Sequence, residues 1–535
     1  MDVLHVLCVC SLLSICTVTS TNWEQMARDM LTEELKVKPN FNLAKNIIVF
    51  IGDGMSMPTI TAARILKGQR NNQSGEETVL KWEEFPNMAL SKTYGSNKQI
   101  PDSAATATAI LCGVKANWYT FGVRDTVIKN NCSSQKGQAV ESILDHFQAD
   151  NRATGVISTA RLTHATPASS YAHTANRGWE GDVSMKGIEG DCKDIAYQFV
   201  HENSNIRVAM GGGRRFFLPN DTNDPETNSI DPKQRQDQRN LIEDWKRIQS
   251  AEGRRHSYVW NKQQFDAIDP ATTDYLLGLF ESSHMQYNYQ RDSSPNGEPS
   301  LAEMVSKAIG ILSRHNRGFF LLVEGARIDH AHHDGLANIA LDETIELESA
   351  VREAVRLTDE ADTLIITTAD HSHVFTMGGY PKRGNDILGY SDPVADEVPL
   401  DGIPYATLAY SNGPGYRWGN RSEFNNSQAD TRDMRFMAEA AVPFEYETHG
   451  GDDVPIYSRG PMSHLLNGVK EEHYIAHFMQ YAACVGFYKN NCDRVITDHC
   501  TSTGSDVKPS SLTFLTAISM AILAINLYVA LNKNI

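Results

Sequence analysis

NIIVFIGDG, residues 46–54, runs five apolar side chains, Ile47 to Ile51, into a Gly-Asp-Gly turn. An unbroken apolar run rich in β-branched residues marks a strand buried on both faces, because such a strand has no solvent side for polar residues. RATGVISTA (152–160), RGFFLLVEG (317–325), DTLIITTADHSH (362–373) and PYATLAYSNG (404–413) share that character. Amphipathic stretches such as LAEMVSKAIGILSRH (301–315) lie between them. The alternation predicts an α/β fold: a large, mostly parallel central β-sheet flanked by helices on both faces. In open sheets of this kind ligands bind beyond the carboxyl ends of the strands.

Those ends carry acids and imidazoles. The first run ends in Asp53; the third ends in Glu324, followed by Asp329 and His333; the fourth ends in Asp370-His371. One acid after a strand is ordinarily a turn or cap residue, but here several strand ends do the same thing. In VEGARIDHAHHDG, Asp329 and His333 are four apart, so a helical turn puts both on one face. His330 and His332 then face elsewhere, toward outer contacts or solvent. In TADHSHVF, His371 and His373 are alternatives, and ETHGG adds His449 in a loop. Mixed imidazole and carboxylate sets suit zinc, whereas oxygen-only sets suit magnesium. Clustered carboxylates repel and raise each other's pKa, and bound divalent cations remove that objection.

Hydrophobic residues make up 41% of the 535 residues and charged residues 21%, an ordinary globular composition. That length suits two or three average domains or one large α/β unit with insertions. The formal charge of −17 argues against a nucleic-acid partner, which calls for a basic face. Residues 1–20 hold an apolar run ending in Val18-Thr19-Ser20, the pattern of a signal peptide, although no Lys or Arg precedes the run. Leu512 to Leu531 is a second apolar run, long enough for a retained membrane helix. Small residues at 502–505 and a polar spacer before it favour a GPI signal, with Ser502 as the attachment candidate. The expected organisation is a signal peptide (1–20), a catalytic domain (21–502) and a GPI propeptide (503–535), displayed on the extracellular face of the cell membrane. Sequons at Asn72, Asn131, Asn220, Asn420 and Asn425 fit export. Of the cysteines beyond the leader, Cys484 and Cys492 can close a short loop, and Cys112 lies in an apolar helical context that suits a buried thiol.

PDSAATATAILCG (101–113) isolates a serine. Ser103 has no neighbouring histidine and no G-x-S-x-G elbow. Pro101-Asp102 starts a helix, so Ser103 stands at an N-terminus that favours an anion.

GDGM (52–55), PDSAATATA (101–109), YAHTANR (171–177), VEGARIDHAHH (323–333), TADHSHVF (368–375) and ETHGG (447–451) together resemble the animal alkaline phosphatase family, in order, across roughly residues 42–495. The resemblance implies hydrolysis of phosphate monoesters at alkaline pH through a phosphoserine on Ser103, with two zinc ions and one magnesium. It implies Asp329, His333 and His449 around the first zinc, and Asp53, Asp370 and His371 around the second, leaving His373 outside. Asp53, Thr166 and Glu324 would hold the magnesium, with His164 near it through water and His330 as an outer neighbour. Many family members carry serine at the Thr166 position; threonine keeps the oxygen. Arg177 would grip substrate phosphate.

A calcium site of animal members maps onto Glu226, the Phe280 carbonyl, Glu281 and Glu298, with Glu at the last position where Asp is common. The implied disulfides are Cys132–Cys192 and Cys484–Cys492, with Cys112 and Cys500 unpaired. The family is typically homodimeric, Tyr380 matching a residue that reaches the partner subunit's site, and residues 381–440 resemble its surface crown insertion. Two alternatives remain: a phosphodiesterase of the same metal-core superfamily, and a catalytically weak GPI-anchored binding protein. A sulfatase lacks support, because Ser103 is followed by Ala-Ala-Thr and not by a C-x-P-x-R-type signature.

Overall fold

A computed structural model describes residues 22–392, 399–418, 421, 430–490 and 492. The 46–54 run forms β1 (Asn46–Gly52). Its side chains alternate, Ile48 and Phe50 entering one core and Ile47, Val49 and Ile51 the other. Both faces are covered, which is why no polar residue interrupts the run.

The main sheet continues with β2 (Asn87–Lys92), β3 (Ala153–Arg161), β4 (Val208–Gly212), β5 (His256–Val259), β6 (Tyr275–Leu279), β7 (Phe319–Gly325) and β8 (Thr363–Ala369). Shorter strands follow: β9 (Ser372–His373), β10 (Phe375–Met377), β11 (Leu408–Gly413), β12 (Glu439–Pro443) and β13 (His449–Gly450). Then β14 (Val454–Arg459) and β15 (Gly468–Glu471) rejoin the main sheet. Its ten strands run β15-β2-β14-β8-β1-β7-β3-β4-β6-β5. The seven from β8 to β5 are parallel, and β14 is antiparallel to both its neighbours. The sheet is mostly parallel, as expected.

Helices Met57–Arg70, Leu301–Leu312 and Ala337–Leu357 cover one face. Helices Ser103–Cys112, Ile143–Ala149, Ile195–Glu202, Leu241–Ala251 and Tyr474–Ala483 cover the other. Helix Leu301–Leu312 starts at a capping box in which Ser300 and Glu303 satisfy each other's backbone N–H groups.

One expected strand lies elsewhere. In the PYATLAYSNG run only Leu408–Gly413 is extended, and it forms the middle of the separate sheet β10-β11-β12. Its burial is interrupted, so its apolar run does not mark a doubly covered strand. Conversely β2, β5 and β15 lie at or next to the sheet edges, where exposed or half-buried positions break the apolar signal.

The register places the site. Gly52 pairs with Gly325 of β7 and with Ala369 of β8, so three central strands end level. Asp53 and Asp370 are the next residues of two of them. Gly54 has φ +67°, and a Cβ there would meet His373 Nε2 at 2.3 Å. Only glycine allows both the turn and that approach.

Contacts divide the chain into two compact units, Met1–Gly486 and Phe487–Ile535, and all fifteen strands belong to the first. The stretches 1–20 and 503–535, Ser502, Cys500, Asn420 and Asn425 lie outside the described residues, and among those described no helix is long and apolar enough to cross a membrane. Cys132 and Cys192 are bonded, with Cα atoms 5.8 Å apart. Cys484 and Cys492 are each disulfide-bonded, and Cys112 is a buried free thiol. Asn72, Asn131 and Asn220 are exposed.

Candidate active site

Three sets of donor atoms converge at the carboxyl ends of β1, β7 and β8. The first joins helix Arg327–His333 to the His449 loop. His333 Nδ1–H donates to the Glu447 carbonyl at 2.6 Å and His449 Nδ1–H to the Pro101 carbonyl at 2.8 Å. With those protons engaged, both Nε2 atoms are bare. They face each other at 3.1 Å, and each lies 3.3 Å from Asp329 Oδ1. Lone pairs this close repel unless a cation sits among them. Tetrahedral zinc, with bonds of about 2.0–2.1 Å, leaves its ligand atoms about 3.3 Å apart.

His373 plays another part. Its Nε2–H donates to Asp329 at 2.9 Å and its Nδ1–H to Glu447 at 2.5 Å. Burial would lower its pKa, yet Glu447 and Asp329 push it up to about 10. With both nitrogens protonated it has no lone pair for a metal, and it orients Asp329 instead. Burial likewise works to raise Asp329, but His333, His373 and His449 hold it well below the usual carboxylate range.

The second set surrounds His371. Its Nε2 lies 3.3 Å from Asp53 Oδ1 and 3.4 Å from Asp370 Oδ2. Ser103 Oγ is 3.3 Å from the same Nε2 and 3.4 Å from Asp53 Oδ1. Asp370 is aimed by the Gly54 and His371 backbone N–H groups and by the Thr106 hydroxyl, each donating at 3.0 Å. The third set contains only oxygens. Asp53 Oδ2, Thr166 Oγ1 and Glu324 Oε1 are buried without a well-formed hydrogen bond, the Thr166 hydroxyl standing beside Glu324, while the other Glu324 oxygen accepts from the Ser158 hydroxyl.

Asp53, Glu324 and Asp370 are fully buried. Burial and then the charges of Asp329, Asp370 and Glu324 raise Asp53 well above the usual carboxylate range. Burial also raises Asp370, and it pushes Glu324 up to about 7 against the lowering effect of the Ser158 and Thr166 hydroxyls. The protein does not neutralise this cluster itself. Divalent cations fit it, the nitrogen-bearing sets suiting zinc and the oxygen-only set suiting magnesium.

Ser103 begins helix Ser103–Cys112, with Asp102 as N-cap, and faces a cavity of about 440 Å³ walled also by Trp118, Tyr119, His164 and Arg177. Asp102 accepts from Arg177 at 2.9 Å and from the Tyr119 N–H at 3.0 Å, so the residue before the serine aims the guanidinium. His164 Nε2 accepts from the other Arg177 amino group at 3.2 Å. His330 lines the same cavity. His332 is not solvent-facing: it is buried between the Thr59 hydroxyl at 2.9 Å and the Tyr410 hydroxyl at 2.8 Å.

Away from this cavity, Glu281 and Glu298 are raised by burial and by neighbouring carboxylates. Burial and Glu281 push Glu298 up to about 9; burial and Glu226 push Glu281 up to about 7 against a hydrogen bond from Gln286. Glu298 Oε2 has no partner, Glu226 pairs with Arg214 at 2.7 Å, and Phe280 is buried next to Glu281. Tyr380 is 70% exposed.

Sequence reasoning did not single out Glu447, Asp102, Thr106 or His284. Glu447 and Asp102 stand inside the motifs, but what they bind is distant along the chain.

Imidazole–carboxylate and oxygen-only donor sets around a serine, at the carboxyl edge of a mostly parallel sheet, define a metal-dependent hydrolase of α/β architecture. Residues 44–485 match the family model for alkaline phosphatase. Over 486 residues the chain is 46% identical to the tissue-nonspecific alkaline phosphatase isozyme of Gallus gallus, covering 90% of this chain and 92% of that protein. The Homo sapiens isozyme is 46% identical over 475 residues, covering 88% and 90%. The alkaline phosphatase of Gadus morhua is 45% identical over 470 residues, covering 87% and 97%. The solved alkaline phosphatase of the Antarctic bacterium TAB5 shares the fold at a TM-score of 0.58 and 21% identity, covering 83% and 99%. That of Thermus thermophilus does so at 0.59 and 20%, covering 86% and 96%. The chain belongs to the alkaline phosphatase family and is a phosphate monoester hydrolase.

Proposed function

We propose that this enzyme acts through a covalent phosphoserine on Ser103, with two zinc ions and one magnesium. Asp329, His333 and His449 would hold the first zinc, Asp53, Asp370 and His371 the second, and Asp53, Thr166 and Glu324 the magnesium. The observation that carries this is Ser103 Oγ, which stands 3.3 Å from His371 Nε2 and 3.4 Å from Asp53 Oδ1, at the open corner of the second donor set. When bound, the ions supply Lewis-acid charge that lowers the pKa of a hydroxyl or water and stabilises phosphoryl oxygens.

The chain's residues do the rest. Ser103 Oγ gives up its proton and attacks phosphorus in line with the alcohol oxygen; the new O–P bond forms as the ester bond breaks. The alcohol leaves with a proton from solvent. Water then attacks the phosphoserine from the opposite side, releasing inorganic phosphate and returning a proton to Ser103. Arg177, aimed by Asp102, offers two N–H donors to non-bridging oxygens, which favours a dianionic terminal phosphate over a diester. The N–H groups opening helix Ser103–Cys112 favour the same anion.

Glu281 and Glu298, raised by burial and by neighbouring carboxylates, stand with Glu226 and the Phe280 carbonyl in support of a structural calcium. The proposal extends to a leader at 1–20, a catalytic domain at 21–502 with a crown-like insertion at 381–440, and a GPI signal at 503–535. The mature enzyme would then sit on the outer membrane face as a homodimer, with exposed Tyr380 reaching the partner subunit.

Acid-quenched enzyme incubated with substrate should carry phosphate on the Ser103 peptide by mass spectrometry. Ser103→Ala should lose the label and at least about 10³-fold in turnover while retaining zinc. Unlabelled Ser103 with undiminished Ser103→Ala turnover would overturn the assignment.

A further inference from the structure

We propose that Arg327 decides which esters this enzyme favours, by binding an oxyanion (a carboxylate or a second phosphate) carried by the leaving alcohol. The assignment rests on Ser103 as the nucleophile. In-line attack puts the leaving oxygen on the far side of phosphorus from Ser103. The Ser103 cavity also holds the other nitrogen-bearing donor set, Asp329, His333 and His449. His330 and His333 wall an adjoining cavity of about 500 Å³ as well, together with Tyr287, Arg327, Asp334 and Tyr446. A substituent on the leaving oxygen therefore has that second cavity next to it.

Arg327 opens helix Arg327–His333, and its charge is answered differently from that of the other arginines nearby. Arg161 pairs with Glu180 at 2.7 Å and Arg177 with Asp102 at 2.9 Å. Among the described residues no carboxylate pairs with Arg327. Its guanidinium lies 3.7 Å from the Tyr287 ring centre, and one amino group donates to His330 Nδ1 at 3.0 Å. Nε is buried without a hydrogen-bond partner, and the second amino group makes no hydrogen bond to the described residues. Nε and that amino group form the edge of a guanidinium that grips a carboxylate or phosphate with two parallel bonds. His330, accepting at Nδ1, carries its proton on Nε2 and so adds no negative charge to the wall.

The acids around Arg327 have other partners. Burial raises Asp334, whose hydrogen bond comes from the Tyr287 hydroxyl at 3.4 Å, and Arg327 opposes that rise without pairing to it. Glu343 accepts from the Asn288 N–H at 2.6 Å. A neutral leaving group would cover the open edge of Arg327 and leave it unsatisfied, whereas an oxyanion meets it.

The test compares three phenyl phosphates, bearing a carboxylate, a phosphate or a carboxamide at the para position, on the zinc- and magnesium-loaded full-length enzyme. The readout is kcat/KM, which spans binding up to departure of the alcohol. The wild type should favour the carboxylate ester, the phosphate ester (counted per phosphate) or both over the carboxamide by at least about tenfold. The favoured ester names the oxyanion. Arg327→Gln should lower that ratio at least about tenfold. If this variant does not fold, Arg327→Lys, which keeps the charge but loses the two-bond edge, should lower it at least about threefold. A ratio is not moved by a general loss of activity, so a merely structural role would leave it unchanged. A wild type that prefers neither anion, or a ratio unchanged in the variants, overturns the proposal. Phosphate on the Ser103 peptide, measured with the carboxamide ester, separates failure of this contact from failure of the nucleophile assignment.

Discussion

Two groups of buried carboxylates differ in what answers their charge. Asp224 and Asp194 are held by buried arginines: Arg214 grips Asp224 with two bonds at 2.7 and 2.8 Å, and Arg235 grips Asp194 at 2.9 and 3.0 Å. Asp53, Glu324 and Asp370 are buried at least as deeply, and no Lys or Arg pairs with any of them among the described residues. Burial works to raise Asp224, yet the Arg214 bonds bring it below its ordinary value, whereas Asp53 is driven well above. Opposite outcomes for buried carboxylates separate charge that holds the fold from charge that awaits an ion.

The strongest way to break this contrast is to remove the ions. Chelation should cut turnover at least about 10³-fold, zinc plus magnesium should restore it, and far-ultraviolet circular dichroism should stay unchanged because the arginine pairs remain. Chelator-resistant turnover would contradict it. Next in size is Arg235→Ala, which strands Asp194 and should cost about 3–5 kcal/mol in denaturant unfolding while leaving zinc content intact.

A pH titration of the metal-free protein sharpens the contrast from the other side. A carboxyl raised in the fold binds more protons there than in the unfolded chain, so stability falls as pH rises through that window. For Glu324, raised from an ordinary 4.5 to about 7, the loss is about 3 kcal/mol between those values. Glu324→Gln should flatten this part of the stability curve, and magnesium should oppose the loss in the wild type. The smallest effect belongs to Arg177→Ala: KM for a monoester should rise about tenfold, with Ser103 still phosphorylated. An unchanged KM would remove Arg177 from phosphate binding.

Much of this was legible along the chain. The runs at β1, β3, β7 and β8 announced themselves because both faces of those strands are covered, which keeps their middles apolar or lightly polar. The four-residue spacing of Asp329 and His333 survived because a helix repeats locally. The strands at or beside the sheet edges, β2, β5 and β15, were not legible, since their exposed or half-buried positions look like loop. PYATLAYSNG was apolar enough to pass for a strand of the main sheet, although it belongs to another.

Local chemistry therefore settled the central strands, the residue at which each ends, and the acids, imidazoles and serine placed there, because periodicity and residue type act over a few neighbours. Tertiary structure decided which of those groups meet. The β1–β7–β8 register brings Asp53 level with Asp370, and the fold sets Glu447 against His373 and Asp102 against Arg177. It also gathers His284 with His164 and His330. Such contacts join residues far apart in sequence, and only the packing of the whole sheet and its helices determines their distances.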